Sequence, residues 1–231
     1  HWLGHTSPAY ANMVGPFGGV MAAQAINAVL QHPDRLGEPV AVTVNFASAM
    51  ADGPFEVRAK AARTNRSTQH WVVEVTQSDQ TVLTATVFTA LRRDTWNAQD
   101  MAMPAVPCAT DTPRNAGPGR VAWFDRYELR FLHGYFPADW DGSNSGDSIT
   151  RLWMRDDPPR PLDFASLTAL ADVFYPRIWR RRAKLTPIGT VSMTVYFHAD
   201  AAQLERAGTG YVLGQAQAQA LARRLGLEQQ V

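Results

Sequence analysis

The chain has 231 residues, of which 45% are hydrophobic and 19% charged, enough for one substantial core or two modest ones. Its 22 basic and 21 acidic residues nearly cancel, which argues against the positive field of a nucleic-acid-binding protein and favours a small-molecule partner. The single cysteine, Cys108, excludes an intrachain disulfide, and no apolar run approaches the roughly 20 residues of a membrane span, so we expect a cytoplasmic protein without one.

The first part of the chain predicts one helix followed by four strands. After a turn-rich opening, GPFGG introduces VMAAQAINAVLQH, whose apolar residues recur with helical spacing until Pro33. Alternating stretches follow, and residues 78–80 (SDQ) between the last two have the composition of a hairpin turn. We therefore expect a buried helix against an antiparallel sheet within a unit that spans residues 1–93.

A linker and a second unit follow. Residues 94–120 are rich in Pro, Ala and Gly and show neither helical nor strand periodicity, which is typical of a linker. In the unit that spans residues 121–231, WFDRYELRFL and SITRLWMRDD predict strands, and PLDFASLTALADVFYPRIW predicts a helix that starts at Pro161 and ends at Pro176. GTVSMTVYFHAD and GYVLGQAQAQAL predict further strands.

Two short stretches match between the units. VTVNFAS and MTVYFHA share a core whose threonines, Thr43 and Thr194, lie 151 positions apart. Each stretch follows a predicted buried helix. The match therefore predicts a duplicated unit of one helix against an antiparallel sheet.

Several stretches together resemble the acyl-CoA thioesterase II (TesB-like) family, especially its shorter actinobacterial members. The matching pieces are FGGVMAAQA, VNF, RTNRSTQHWVVEVTQ, PLDFASLTALADVFYPR and PIGTVSMTVYFHAD, which cover most of both halves and leave the linker unmatched. The resemblance implies an α+β double hotdog, with two helix-plus-antiparallel-sheet units in one chain. It also implies hydrolysis of fatty acyl-CoA to free acid and CoA without a metal or other cofactor, by a homodimer.

Members of that family hold the attacking water with an Asp, a Thr or Ser, and a Gln. The resemblance places the Asp on Asp172 in LTALADVF and the hydroxyl on Thr190 in PIGTVSMTVYF. The Gln of the family lies on a final strand, after a segment whose start GLEQQV resembles. We therefore expect this Gln, and the last strand of the second unit, beyond Val231 or absent; Gln229 and Gln230 align poorly with it.

Asp172 and Thr190 also suit hydrolytic chemistry by residue type. A carboxylate in an otherwise apolar helical stretch is costly unless it is paired or catalytic, and it can accept a proton from water. The alternative is an ion pair with Arg177 or Arg180 on a wet face of the helix. The hydroxyl of Thr190 can accept one hydrogen bond while donating another, but a threonine at the start of a strand is also common.

Two further features concern substrate binding. Residues 178–184 (IWRRRAK) form the densest basic cluster, in which Arg181 and Arg182 can bind the phosphates of CoA; the alternative is a solvated loop. Gly18 and Gly19 allow a close approach to the start of the first helix, where free backbone N–H groups can stabilise an oxyanion. Because the active centre of the family lies in the second half, we interpret both glycines as mainly structural.

Other classes of function remain open at this point. One is a hotdog module that binds an acyl chain or acyl-CoA without turning it over. Another is a hydratase or dehydratase that acts on enoyl-CoA, but it requires an Asp–His pair that the matching helix does not carry. The six histidines show no metal-ligand spacing, and Cys108 lacks the neighbouring His of a cysteine nucleophile.

Overall fold

The computed structural model describes residues 1–96, 98–100, 102–117, 119 and 121–221. The helices and strands of the first half are β1 (Trp2–His5), α1 (Gly18–Leu30), β2 (Glu38–Phe46), β3 (Pro54–Thr64), β4 (Thr68–Gln77) and β5 (Gln80–Ala90). Those of the second half are β6 (Tyr127–His133), β7 (Thr150–Asp156), α2 (Phe164–Leu170), α3 (Arg177–Arg181), β8 (Ser192–Tyr196), α4 (Ala201–Ala207) and β9 (Val212–Ala216). No helix within the described residues is long and apolar enough to span a bilayer.

In the first half, α1 packs against one face of an antiparallel sheet. Within the described residues this sheet has the strand order β1-β3-β4-β5-β2-β8. The alternation along β4 explains the packing, since Trp71, Val73 and Val75 are buried and Val72 is exposed. The apolar side chains of α1, including the fully buried Ile26, meet these residues in one core.

The two matching stretches of the sequence are partners in this sheet. β2 pairs antiparallel with β8, and Thr43 lies opposite Thr194 with their hydroxyl oxygens 3.0 Å apart. Because equivalent residues face each other across an antiparallel pair, a local pseudo-twofold axis passes between the two threonines. The strand β8 therefore extends the sheet of the first half with a strand from the second half.

The second half has its own sheet and core. Within the described residues its strand order is β6-β7-β9, and α2 packs against β7. Leu129, Leu152 and Leu170 are fully buried in this second core. The helices α1 and α2 pack against each other, so the two cores adjoin along their helices.

The predicted second helix was wrong in extent. It begins after Asp163, whose carboxylate accepts a hydrogen bond from the Ser166 backbone N–H at 2.7 Å, and it ends at Leu170. The backbone N–H of Asp172 then bonds to the Ala169 carbonyl, an i→i−3 contact that tightens the chain into a turn. Pro176 does not end this helix but precedes α3.

Other local predictions also need correction. The opening was predicted to be turn-rich, but Trp2–His5 pairs with β3 as a strand. WFDRYELRFL begins with a 3-10 turn, Ala122–Arg126, before β6 starts. The helix α4 was not predicted, although its capping box is visible in the sequence as Asp200 followed by Gln203.

The linker packs on the second sheet. In the part of residues 94–120 that the structure describes, the only regular element is a 3-10 turn, Ala109–Asp111. The indole N–H of Trp153 donates to the Pro107 carbonyl at 2.9 Å, and the guanidinium of Arg130 donates to the Thr112 carbonyl at 2.6 Å. The segment therefore covers part of this sheet, while the unit boundaries stay a prediction.

Candidate active site

Asp172 lies in the turn after α2 and faces the start of α1. The backbone N–H of Gly19 donates to its carboxyl group. The Oδ2 atom of Asp172 lies 2.9 Å from the position that a Cβ on Gly18 would occupy. The site thus combines a side chain of the second half with a helix N-terminus of the first half.

The environment of Asp172 changes its acidity. Burial raises the pKa of its carboxyl group from 3.8 to about 7, because the charged form loses its hydration. The hydrogen bond from Gly19 opposes this shift, and the positive end of the α1 dipole also favours the carboxylate. A carboxyl group with a pKa near neutrality can be ionised at pH 7 and still be basic enough to accept a proton from water.

The two glycines make room for this contact. A Cβ on Gly18 would lie 3.4 Å from the Phe46 ring as well as close to Asp172, and a Cβ on Gly19 would lie 2.7 Å from the Ala169 carbonyl oxygen. Because the neighbour of Gly19 is a backbone carbonyl, only a residue without a side chain at this position allows α1 to start so close to the end of α2. The interpretation of both glycines as mainly structural is therefore incomplete, because Gly19 contacts Asp172 directly.

Thr190 precedes a residue that is hydrogen-bonded to a neighbour of this site. It is exposed and precedes β8 rather than beginning it. The carbonyl of the next residue, Val191, accepts a hydrogen bond from the Phe46 backbone N–H at 3.0 Å, and the Phe46 ring lies beside Gly18. Among the described residues no hydrogen bond joins Thr190 to Asp172, so a water held between them stays a prediction.

The alternative in which Asp172 pairs with an arginine is not realised. The guanidinium of Arg177 instead donates to the Thr150 hydroxyl at 2.6 Å, and that of Arg180 lies 3.5 Å from the Asp147 carboxylate. Within the described part of the chain Asp172 has no ion-pair partner. The absence of a compensating cation is consistent with its raised pKa.

An aromatic cluster that the sequence did not predict supports the start of α1. Phe17, the N-cap residue of α1, stacks on Trp123 with ring centroids 4.2 Å apart, and Tyr127 packs edge-on against Phe17 at 5.8 Å. Burial raises the pKa of Tyr127 above its usual range, and the charge of Asp172 contributes to this shift in smaller part. The aromatic residues are visible in the sequence, but nothing local indicates that they meet.

The remaining predicted residues lie elsewhere. Arg181 is the last residue of α3 and Arg182 follows it at the surface. No hydrogen bond or ion pair between described residues links either side chain to Asp172. Gln229 and Gln230 lie outside the described residues, and within those residues no group of three side chains is arranged to bind a metal ion.

Two family models match the chain. The N-terminal domain of acyl-CoA thioesterases matches residues 7–90, and the C-terminal domain matches residues 102–231. The chain belongs to the acyl-CoA thioesterase family. The resemblance to TesB-like thioesterase II proteins is thereby confirmed. No curated protein matches this sequence.

Solved structures share the fold over nearly the whole chain. A conserved protein of unknown function with a hot dog fold from Alicyclobacillus acidocaldarius is 43% identical, with a TM-score of 0.89 over 96% of this chain and 82% of that chain. A putative thioesterase II from Thermobifida fusca is 17% identical, with a TM-score of 0.73 over 95% and 81% of the two chains. A tesB protein from Mycobacterium avium subspecies paratuberculosis is 18% identical, with a TM-score of 0.71 over 96% and 81%.

The comparisons confirm the α+β double hotdog fold. The structure shows how the two units build the candidate site, since the start of α1 in one unit meets Asp172 in the turn after α2 of the other. Family membership and fold support thioesterase activity in general, with an acyl-CoA as the substrate.

Proposed function

We propose that this acyl-CoA thioesterase family member hydrolyses fatty acyl-CoA with Asp172 as the general base and Thr190 as a second group that orients the attacking water. The observation that carries the proposal is the Asp172 carboxyl group at the start of α1, with a pKa of about 7. The Asp172 carboxylate accepts a proton as the water oxygen attacks the thioester carbonyl carbon. The tetrahedral intermediate then collapses, the C–S bond breaks, and the CoA sulfur leaves and takes up a proton, which yields free acid and CoA.

The pH dependence of hydrolysis tests the role of Asp172. Only the ionised carboxylate can accept a proton, so kcat/KM should rise with pH around an apparent pKa of about 7 and level off above it. A carboxyl group with an ordinary pKa, roughly 4, would already give a plateau at pH 6. Initial rates between about pH 5 and 9 distinguish the two, and a flat profile over this range would contradict Asp172 as the base.

Removal of the Thr190 hydroxyl tests the second role. Thr190→Val keeps the shape of the side chain but cannot hydrogen-bond to water, so kcat should fall about 10-fold, the cost of roughly one hydrogen bond. Thr194→Val serves as the matched control, because the Thr194 hydroxyl bonds to Thr43 within the sheet instead. Equal loss in both variants would show that Thr190 acts through the sheet and not on the water.

A screen of CoA esters of graded chain length tests the activity itself. Binding of every ester without release of CoA would instead favour the acyl-CoA binding module. The fatty nature of the acyl group, contact of Arg181 and Arg182 with the CoA phosphates, the homodimer and the cytoplasmic location stay predictions.

A further inference from the structure

We infer that the end of α3 and the loop beside it, residues 140–145, form a recognition site for the 3′-phosphorylated adenine nucleotide of CoA, with Trp140 stacking on the base. The inference rests on the proposed function, in which a CoA thioester is the substrate. The proposed function concerns the thioester carbonyl of acyl-CoA, and this inference concerns the nucleotide at the opposite end of the same substrate.

The loop is held against the end of α3 by backbone contacts. The N–H of Gly142 donates to the Ala183 carbonyl at 2.8 Å, and the N–H of Ala183 donates to the Ser143 carbonyl at 2.9 Å. The N–H of Ser145 donates to the Arg181 carbonyl at 3.2 Å, which completes an antiparallel bridge between Asn144 and Arg182. Three successive contacts of this kind fix two otherwise irregular segments side by side, so the residues on them keep their relative positions.

This arrangement presents a tryptophan at the surface. Trp140 is 40% exposed and packs edge-on against Trp179, with ring centroids 6.2 Å apart. Trp179 is buried, and its indole N–H donates to the Thr186 carbonyl at 2.8 Å. Trp140 thus rests on a fixed support and keeps accessible ring surface, which is what a base-stacking side chain requires.

The same surface carries uncompensated positive charge. The cations on and just after α3 are Arg177, Arg180, Arg181, Arg182 and Lys184. Two carboxylates lie in or next to the loop. Asp147, just after it, lies 3.5 Å from Arg180, and Asp141, within it, accepts the Ser143 N–H at 2.8 Å. Among the described residues the side chains of Arg181, Arg182 and Lys184 form no ion pair. Guanidinium groups without an ion-pair partner favour a phosphate ligand.

The combination selects a nucleotide. A free phosphate would bind the arginines and the lysine but would not contact the Trp140 ring. An acyl chain would pack on the Trp140 ring but would leave the cations without a partner. Asp172 and α3 are separated by one short turn of chain, so neighbouring parts of the second half would hold the thioester and the nucleotide of one extended substrate.

Isothermal titration with adenosine 3′,5′-bisphosphate tests the site without any turnover. Trp140→Ala should weaken its binding about 10-fold or more, because stacking on an aromatic ring is lost, and Trp140→Phe should retain most of the affinity. Arg182→Gln should weaken binding by about 10-fold and reduce its dependence on salt. The matched controls Trp96→Ala and Lys60→Gln, at an 85% exposed tryptophan of the linker and an exposed lysine of β3, should bind as the wild type does.

The outcomes separate this inference from the proposed function. Asp172→Asn should bind the bisphosphate with unchanged affinity, since the probe has no thioester. If the wild type binds the bisphosphate but does not hydrolyse acyl-CoA, the proposed thioesterase activity is refuted and the nucleotide site is not. Three results would overturn the nucleotide site whatever the rate of hydrolysis. They are failure of the wild type to bind the bisphosphate, equal affinity of the wild type and Trp140→Ala for it, and equal KM values for acyl-CoA and acyl-dephospho-CoA.

Discussion

Replacement of Asp172 with Asn should lower kcat for acyl-CoA hydrolysis by about 10²- to 10⁴-fold, the usual contribution of a general base. Asn has nearly the same size and shape, so it fits in the same place against Gly18, and its amide oxygen can accept the Gly19 N–H as the carboxylate does. It cannot accept a proton from water. Steady-state release of CoA measures the effect, and Asp52→Asn, at an exposed carboxylate, is the matched control.

The stability of the same variant shows whether the fold survives. The folded protein binds a proton at Asp172 more tightly than the unfolded chain does, since the pKa of this carboxyl group is about 7 in the folded protein and 3.8 in the unfolded chain. Stability from this group is therefore complete below about pH 4 and is lost as the pH rises towards 7, up to a ceiling of about 4 kcal/mol.

Asn does not ionise and avoids that loss. Urea unfolding of Asp172→Asn should show a higher midpoint than the wild type at pH 8 and a similar one at pH 4. Full activity in the variant would refute Asp172 as the base. Loss of activity together with a lower unfolding midpoint at pH 8 would assign it a structural role.

Gly18→Ala should reduce kcat by about 10- to 100-fold while the protein remains folded, because small displacements of a catalytic group are costly. The new Cβ would lie 2.9 Å from Oδ2 of Asp172, so the carboxyl group must move away from it. Its other near neighbour is the Phe46 ring at 3.4 Å, the end of a side chain that can adjust. Rate measurement and a thermal melt of the same sample separate the effect on catalysis from any effect on folding.

A double-mutant cycle shows whether Gly18 acts through Asp172. In the Asp172→Asn background, Gly18→Ala should cost little further activity, since the group it displaces no longer accepts a proton. The same loss in both backgrounds would mean that the space at Gly18 serves something other than the carboxylate. Gly19→Ala provides a contrast: its Cβ would lie 2.7 Å from the backbone carbonyl of Ala169, so we expect it to destabilise the fold by about 1–3 kcal/mol.

The spacing of apolar residues in the sequence was sufficient to predict a helix or strand where the buried residues follow the period of that element. The alternation of Trp71, Val73 and Val75 predicted a strand with one buried face, and the spacing around Ile26 predicted a buried helix; both are confirmed. The same reasoning overextended α2. Val173 and Phe174 continue the apolar pattern because they pack into the second core from the turn, and periodicity reports burial without distinguishing a helix from the turn that follows it.

The sequence by itself determined the family, the two helix-and-sheet units and the choice of Asp172 as a candidate, because these depend on residue types and on their order along the chain. Only the tertiary structure decided that Asp172 meets Gly19 across the two halves and that Thr43 lies opposite Thr194. Contacts between residues so far apart in the chain arise from the packing of whole elements. The raised pKa of Asp172 has the same origin, since it depends on the burial and hydrogen bonding that α1 and α2 create together.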